Sequence, residues 1–150
     1  MNGFDPVEGY LELKMADEAM VELEEMSAVK KKTERYAELL LTAQMMLKHW
    51  GSASVTAAKL CERNSEKWVY FIHSAYCLHE VGDTERAMQV LESGPKELRK
   101  QALYHYNMAC YYAVLEEPSI ARSFLREALR LDNDLLKVAE EDPDLVGVDF

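Results

Sequence analysis

The chain has 150 residues, of which 49% are hydrophobic and 29% charged, and its formal net charge is −10. This apolar content is sufficient for one continuous core, and only six glycines and four prolines disfavour a β-rich fold or a disordered tail. No apolar run approaches the ~20 residues that a bilayer span needs. The acidic N-terminus is not typical of a secretory signal. Nucleic acid is not an expected partner, because no large basic surface could displace counterions from phosphates.

Taken in chain order, periodic apolar residues separated by turn residues predict a succession of helices. Asp5 and Pro6 are typical of an N-cap followed by a first-turn proline, and Pro118 has the same role late in the chain. Gly51 and Gly94 are expected to separate helices. The predicted helices are 5–13, 17–26, 34–49, 54–61, 66–80, 84–91, 104–115, 119–131 and 135–139.

The last predicted helix and the acidic tail are expected to close the end of the array. Three apolar residues of that helix are expected to cover the exposed edge of the preceding pair: Leu135, Leu136 and Val138. Four apolar residues of the tail are expected to fold back rather than extend: Leu145, Val146, Val148 and Phe150. A polar terminal cap is what an open array of repeats needs to stay in solution.

The clearest pattern is an internal repeat of 34 residues. Alanines recur at this interval: Ala19, Ala53, Ala87 and Ala121. Three apolar columns keep the same register, with members Val7, Leu41, Ala75 and Ala109; Leu13, Leu47, Val81 and Leu115; and Leu23, Ala57, Leu91 and Leu125. Such a period predicts one domain of four helical hairpins. The predicted repeats cover about 1–33, 34–67, 68–101 and 102–135, and residues 136–150 form the cap and tail.

This register resembles the tetratricopeptide repeat, a helix–turn–helix unit of the same length. Ala75 and Ala87, like their counterparts in the next repeat, occupy the two small positions of that family, and Trp50 and Gly82 lie near its inter-helix turn. The first two repeats depart from the pattern, notably at Gln44, where an apolar residue is usual. The run Tyr-Asn-x-Ala-Cys-Tyr at 106–111, with Asp-Pro-Asp-Leu at 142–145, is similar to a bacterial group of such proteins of unassigned role. The resemblance implies an all-α, right-handed superhelix.

The resemblance also implies a concave groove, lined by the first helix of each pair, that binds a peptide or helix of another protein. Tyr76 and Tyr106 are expected to be partly exposed aromatic anchors in this groove. On the family's register the groove residues are Arg35, Glu38, Thr42, Met45, Val69, Ile72, His73, Tyr76, His79, Leu103, Tyr106, Asn107 and Cys110. The lysines, asparagines and arginine with which some family members clamp a C-terminal carboxylate are not present as a set.

No residue pattern predicts catalysis, a cofactor or a metal site. His73 and Cys77 have a metal-capable spacing, but no further ligand accompanies them. An enzymatic reading would depend on His73, Tyr76 and His79 alone. Three cysteines without a CxxC motif favour reduced thiols in a cytoplasmic protein.

The predicted function is therefore that of a protein–protein interaction module. The alternative is a self-associating structural protein, or a small chaperone or adaptor, without enzymatic activity. Neither reading involves nucleic acid or a membrane, and homo-oligomers are compatible with both.

Overall fold

The computed structural model describes residues 3–150, and within them it contains nine α-helices and no β-strand. The α-helices are α1 (Asp5–Glu12), α2 (Ala16–Glu24), α3 (Glu34–Met46), α4 (Trp50–Arg63), α5 (Trp68–Glu80), α6 (Thr84–Glu92), α7 (Ala102–Val114), α8 (Pro118–Leu131) and α9 (Leu135–Glu141). Three short 3₁₀ segments are Lys30–Lys32, Lys96–Lys100 and Pro143–Leu145. None of the helices in the described part combines the length and apolar character required to cross a membrane.

Consecutive helices pack as four pairs, α1 with α2, α3 with α4, α5 with α6, and α7 with α8. Each pair contacts the next, because α2 packs on α3, α4 on α5 and α6 on α7. Helix α9 packs on α8 at the end of the array. The all-helical fold expected from the sequence is thus confirmed, with neighbouring helices stacked in chain order.

The 34-residue period recurs in the structure. The second helices begin at Ala16, Trp50, Thr84 and Pro118, each 34 residues after the previous one. Helices α3, α5 and α7 begin at residues 34, 68 and 102, at the same interval. The four alanines of the repeat, Ala19, Ala53, Ala87 and Ala121, are all 0% exposed. A methyl side chain at each of these positions lets two helix backbones approach closely.

Two of the three predicted apolar columns are buried in every repeat, and one is not. The columns that begin with Val7 and Leu23 lie in the core. The column of Leu13, Leu47, Val81 and Leu115 was expected in the core, and this prediction was wrong, since Leu13 is 70% exposed. Each of its members is the residue directly after a first helix. Its period therefore comes from the turn and not from the core.

The turn inside each pair has the same backbone conformation in all four repeats. Lys14, Lys48, Gly82 and Glu116 have positive φ angles of 60°, 58°, 90° and 63°. In the third pair the Gly82 N–H donates to the His79 carbonyl and the Asp83 N–H donates to the Leu78 carbonyl, both at 2.9 Å. This is the Schellman arrangement, which satisfies the last carbonyls of a helix through a left-handed residue.

Several predicted boundaries are wrong because this turn is short. Helix α3 ends at Met46, since the left-handed Lys48 terminates it, and α4 begins at Trp50, four residues before the predicted start. Gly51 is therefore inside the first turn of α4 and does not separate helices. Helix α5 begins at Trp68, two residues later than predicted.

The C-terminal predictions are confirmed in part. Leu145 and Val148 fold back and are buried, whereas Val146 and Phe150 are exposed. In α9 the buried residue is Ala139, whereas Leu136 and Val138, which were expected to cover the edge of the last pair, are exposed. The small residue allows the short helix to lie close to α8, as the repeat alanines do elsewhere.

The shared turn conformation leads to a prediction about Lys48. A left-handed residue other than glycine costs roughly 1–2 kcal/mol, so Lys48→Gly should stabilise the protein by about 1 kcal/mol and raise the thermal midpoint by about 2–4 °C. Lys48→Ala removes the same side chain and keeps the unfavourable φ, and it serves as the control. Thermal unfolding followed by circular dichroism measures both. If the alanine variant is as stable as the glycine variant, the left-handed conformation costs nothing at this turn.

Candidate functional site

The C-terminal segment 142–148 lies against α7, and its first residue is held by three donors. The Tyr106 hydroxyl donates to Asp142 Oδ2 at 2.7 Å, and the Cys110 thiol donates to the same oxygen at 3.6 Å. The other carboxylate oxygen, Oδ1, accepts the backbone N–H of Asp144 at 3.0 Å. Asp142 therefore caps the 3₁₀ turn at Pro143–Leu145 and ties it to α7.

The second acidic residue of the segment contacts the end of α5. Asp144 Oδ2 lies 2.9 Å from Nε2 of His79, and Nδ1 of the same ring lies 2.9 Å from Thr84 Oγ1. The His79 ring packs on Tyr111 with 4.8 Å between ring centroids. Both ring nitrogens thus have partners, and the imidazole orientation is fixed from α6 and from the C-terminal segment.

Two apolar residues anchor the segment. Leu145 and Val148 are buried in the same core cluster as α5 and α7. Gly147, with a φ of +91°, supplies the left-handed residue that returns Val148 to the protein surface. Polar contacts thus orient Asp142 and Asp144, while burial of the two aliphatic side chains contributes the hydrophobic free energy.

A cavity of about 460 Å³ remains between the segment and the helices. Three carboxylates border it, those of Glu80, Asp142 and Asp144, and among residues 3–150 no lysine or arginine does so. The other lining residues are Tyr76, His79, Tyr106, Asn107, Cys110, Tyr111 and Pro143. The cavity is therefore electronegative, and its wall combines a thiol, an imidazole and three phenol groups.

Burial and negative charge keep the proton donors of this site protonated at neutral pH. Burial raises the pKa of the Cys110 thiol, and the carboxylates of Asp142 and Asp144 raise it further. Burial also raises the pKa of Tyr106, as does its hydrogen bond to Asp142. A thiol with a raised pKa is a poor nucleophile, so the geometry does not favour covalent catalysis at Cys110.

The hydroxyl of Tyr111 is the exception in this network. The residue is 1% exposed, and its oxygen is a buried polar atom without a hydrogen-bond partner. An unmet hydroxyl in a protein interior costs about 1–3 kcal/mol. Among the described residues it is the one such side-chain atom, and it belongs to a residue that lines the cavity.

The structure brings five of the predicted groove residues to this cavity: Tyr76, His79, Tyr106, Asn107 and Cys110. Tyr76 is 39% exposed, as expected. Tyr106 was expected to be partly exposed, and this prediction was wrong, since it is 6% exposed and Cys110 is buried as well. The C-terminal segment covers both. Glu80, Tyr111, Asp142 and Asp144 also line the cavity but were not predicted as site residues.

The remaining predicted groove residues lie elsewhere on the first helices. Arg35 pairs with Glu8 of α1 at 3.0 Å, and Glu38 pairs with Lys67 beside α5 at 2.9 Å. Ile72 is buried, whereas Thr42 and Leu103 are exposed and Met45, Val69 and His73 are half-buried. The ion pairs join consecutive first helices, so Arg35 and Glu38 are already engaged within the protein.

Comparison with known proteins adds no assignment to these observations. No protein-family model matches the chain, and no curated protein matches it. What the chain does is therefore inferred from its own side chains.

The hydrogen bond between Tyr106 and Asp142 can be tested by removing one hydroxyl. Hydrogen bonds to charged groups contribute about 1.5–3 kcal/mol when shielded, so Tyr106→Phe should speed amide exchange in residues 142–148 at least fivefold. The matched control is Tyr104→Phe, because Tyr104 is equally buried and its contacts in the structure are made by the ring. Hydrogen exchange with mass spectrometry distinguishes the two. Equal exchange in both variants would mean that Asp142 does not retain the segment.

The half-buried His73 gives a prediction about pH. Burial lowers the pKa of His73 below its ordinary value of 6.5, so the folded protein favours the neutral ring. As pH falls below about 6.5 the unfolded chain takes up a proton that the folded chain resists, and stability should decrease. His73→Gln should reduce the loss of thermal midpoint between about pH 7 and pH 5, whereas His49→Gln, at an exposed position, should not. Identical pH profiles for His73→Gln and the parent protein would contradict this account.

Proposed function

We propose that the chain is a tetratricopeptide-type, right-handed superhelix of four repeats with a C-terminal cap. The 34-residue spacing of helix starts, of buried alanines and of left-handed turn residues supports this assignment. Three independent features with one period require successive pairs to pack in equivalent ways. An array of equivalent pairs exposes its first helices along one continuous face, the first-helix face.

The proposed function of this face is to bind an extended segment or a helix of another protein. The observation that carries the proposal is the protein's own segment 142–148, which lies on α7 with two buried aliphatic anchors and two hydrogen-bonded carboxylates. This is the combination by which peptide-binding domains hold a partner, with pockets for alternate side chains and fixed polar contacts between them. The segment acts as an internal example of such a ligand.

The part of the face that the segment leaves open contains an aromatic anchor. The Tyr76 ring meets the edge of Trp50 with centroids 5.5 Å apart, so its position is fixed although it is partly exposed. Met45 and Thr42 lie on α3, the preceding first helix. Rigid, partly exposed tyrosines beside aliphatic side chains carry a large share of binding energy in many interfaces. The proposed partner segment therefore packs on Tyr76 and continues toward α3.

Self-association is the second candidate, and the same segment favours it. If the segment of one copy occupied the face of another, the same contacts would form between two chains, as in domain swapping. In either case the protein acts by binding, as a cytoplasmic module or adaptor without enzymatic activity. Sedimentation over a wide range of concentration separates these candidates, because only self-association raises the mass of the purified protein.

The experiment for the first candidate uses a photoreactive amino acid at one of two positions. Tyr76 on α5 is the test position, and Val55, an exposed apolar residue of α4, is the control. Crosslinking in an extract of the native cells should join a partner segment to position 76 and not to position 55. The crosslinked peptide is then synthesised, and its affinity is measured by calorimetry.

Tyr76→Ala should weaken the binding of that peptide at least tenfold, which is ~1.4 kcal/mol, whereas Val55→Ala should leave it unchanged. Both variants should keep the thermal midpoint within about 2 °C of the parent, since each side chain is partly exposed. Equal crosslinking at the two positions would rule out the proposed face. A large loss of stability in Tyr76→Ala with unchanged affinity would show that Tyr76 only supports the fold.

A further inference from the structure

We propose that Cys110, Asp142 and Asp144 bind one divalent cation of the zinc class, which joins the C-terminal segment to α7. The three side chains offer one sulfur and two carboxylate oxygens, and these atoms all lie within 4.8 Å of one another. They come from α7 and from the turn after α9, which are more than 30 residues apart in the chain. The fold therefore assembles a ligand set that no local motif contains.

The separation of the donor atoms fits a tetrahedral ion. With zinc–sulfur and zinc–oxygen distances of about 2.3 and 2.0–2.2 Å, a tetrahedral site places its sulfur and oxygen ligands about 3.5 Å apart. Cys110 Sγ and Asp142 Oδ2 are 3.6 Å apart. The cation would replace the thiol proton between these two atoms, and that proton would be released to solvent as the thiolate forms.

Hydrogen bonds around the ligands already orient them. Tyr106 donates to Asp142, and His79 lies within hydrogen-bonding distance of Asp144 while its other nitrogen contacts Thr84. Carboxylate ligands of metal sites are commonly fixed in this way by neighbouring donors. Tyr106 and His79 are positioning residues in this proposal, because each acts through an aspartate.

Two further observations point to a ligand in this cavity. Its three carboxylates have no lysine or arginine beside them in the described part of the chain, so a bound cation would neutralise charge that the protein leaves unbalanced. In addition, the fully buried Tyr111 hydroxyl lacks a partner. Three protein ligands leave the fourth position of a tetrahedral ion to water, and a water held there would give this hydroxyl a partner.

The chemistry of the donors selects the type of ion. A thiolate ligand favours zinc and similar borderline-soft ions, whereas magnesium and calcium prefer oxygen ligands alone. The site differs from the spacing of His73 and Cys77 considered in the sequence, and neither of those residues belongs to it. It is also independent of partner binding at Tyr76, since its ligands all lie at the C-terminal segment and α7.

The test is a titration of the chelator-treated, full-length protein with zinc alone, followed by calorimetry. One ion should bind per chain, and Cys110→Ala and Asp144→Asn should each weaken binding by about 100-fold or more, since even changes outside the ligand set cost 10–100-fold. The controls are Cys61→Ala, a free thiol elsewhere, and Glu80→Gln, a cavity carboxylate outside the ligand set. Both controls should bind zinc within threefold of the parent.

Cobalt in place of zinc gives a second readout that does not depend on affinity. The parent and both controls should show a thiolate-to-cobalt charge-transfer band and tetrahedral visible bands, which Cys110→Ala should lack. Circular dichroism without metal verifies that each variant folds. Zinc binding that all four variants retain, or cobalt spectra without a thiolate band, would overturn the proposal and indicate loose binding to surface carboxylates only. Absence of binding to the parent protein would overturn it as well.

Discussion

The structure depends on the close approach of paired helices at four fully buried alanines, Ala19, Ala53, Ala87 and Ala121. A larger side chain at any of them would separate two helices that share most of their buried surface, at a cost of ~1–3 kcal/mol. Because each pair also packs on the next, that separation would be passed along the array. The small residues are therefore a condition for the remaining contacts, and their period sets the period of the fold.

The same spacing determines features outside the core. Each first helix ends two residues before a left-handed residue, and only Gly82 among the four is a glycine. The other three turns accept an unfavourable φ because the packing on both sides leaves no room for a longer connection. Gln44 shows the same dominance of packing over residue preference. It stands where an apolar residue is usual, and it is accommodated because its Oε1 accepts the Thr56 hydroxyl at 2.8 Å inside the α3–α4 pair.

The sequence predicted what repeats and failed where the repeat ends. Helix pairs and the buried columns follow from the 34-residue period, because every pair solves the same packing problem. The burial of Tyr106 could not be predicted in this way, since the residue that covers it is 36 positions away, beyond the last repeat. Asp142 and Asp144 were noted only as part of a resemblance, and no local pattern relates them to Cys110. A turn residue and a core residue can also share one period, as the exposed Leu13 demonstrates.

The end of the array is where a site can form, because the last first-helix face has no further repeat to cover it. The segment 142–148 takes that place, but it brings two carboxylates into contact with a third, Glu80, around a partly enclosed cavity. Like charges at such a site repel each other, and the donors that offset this repulsion are two neutral hydroxyl or thiol groups, one imidazole and one backbone N–H. The burial of Leu145 and Val148 holds the segment against this repulsion. Any ligand that adds positive charge to the cavity would therefore tighten the segment, and the balance of charge at Asp142 and Asp144 governs how firmly the last face is closed.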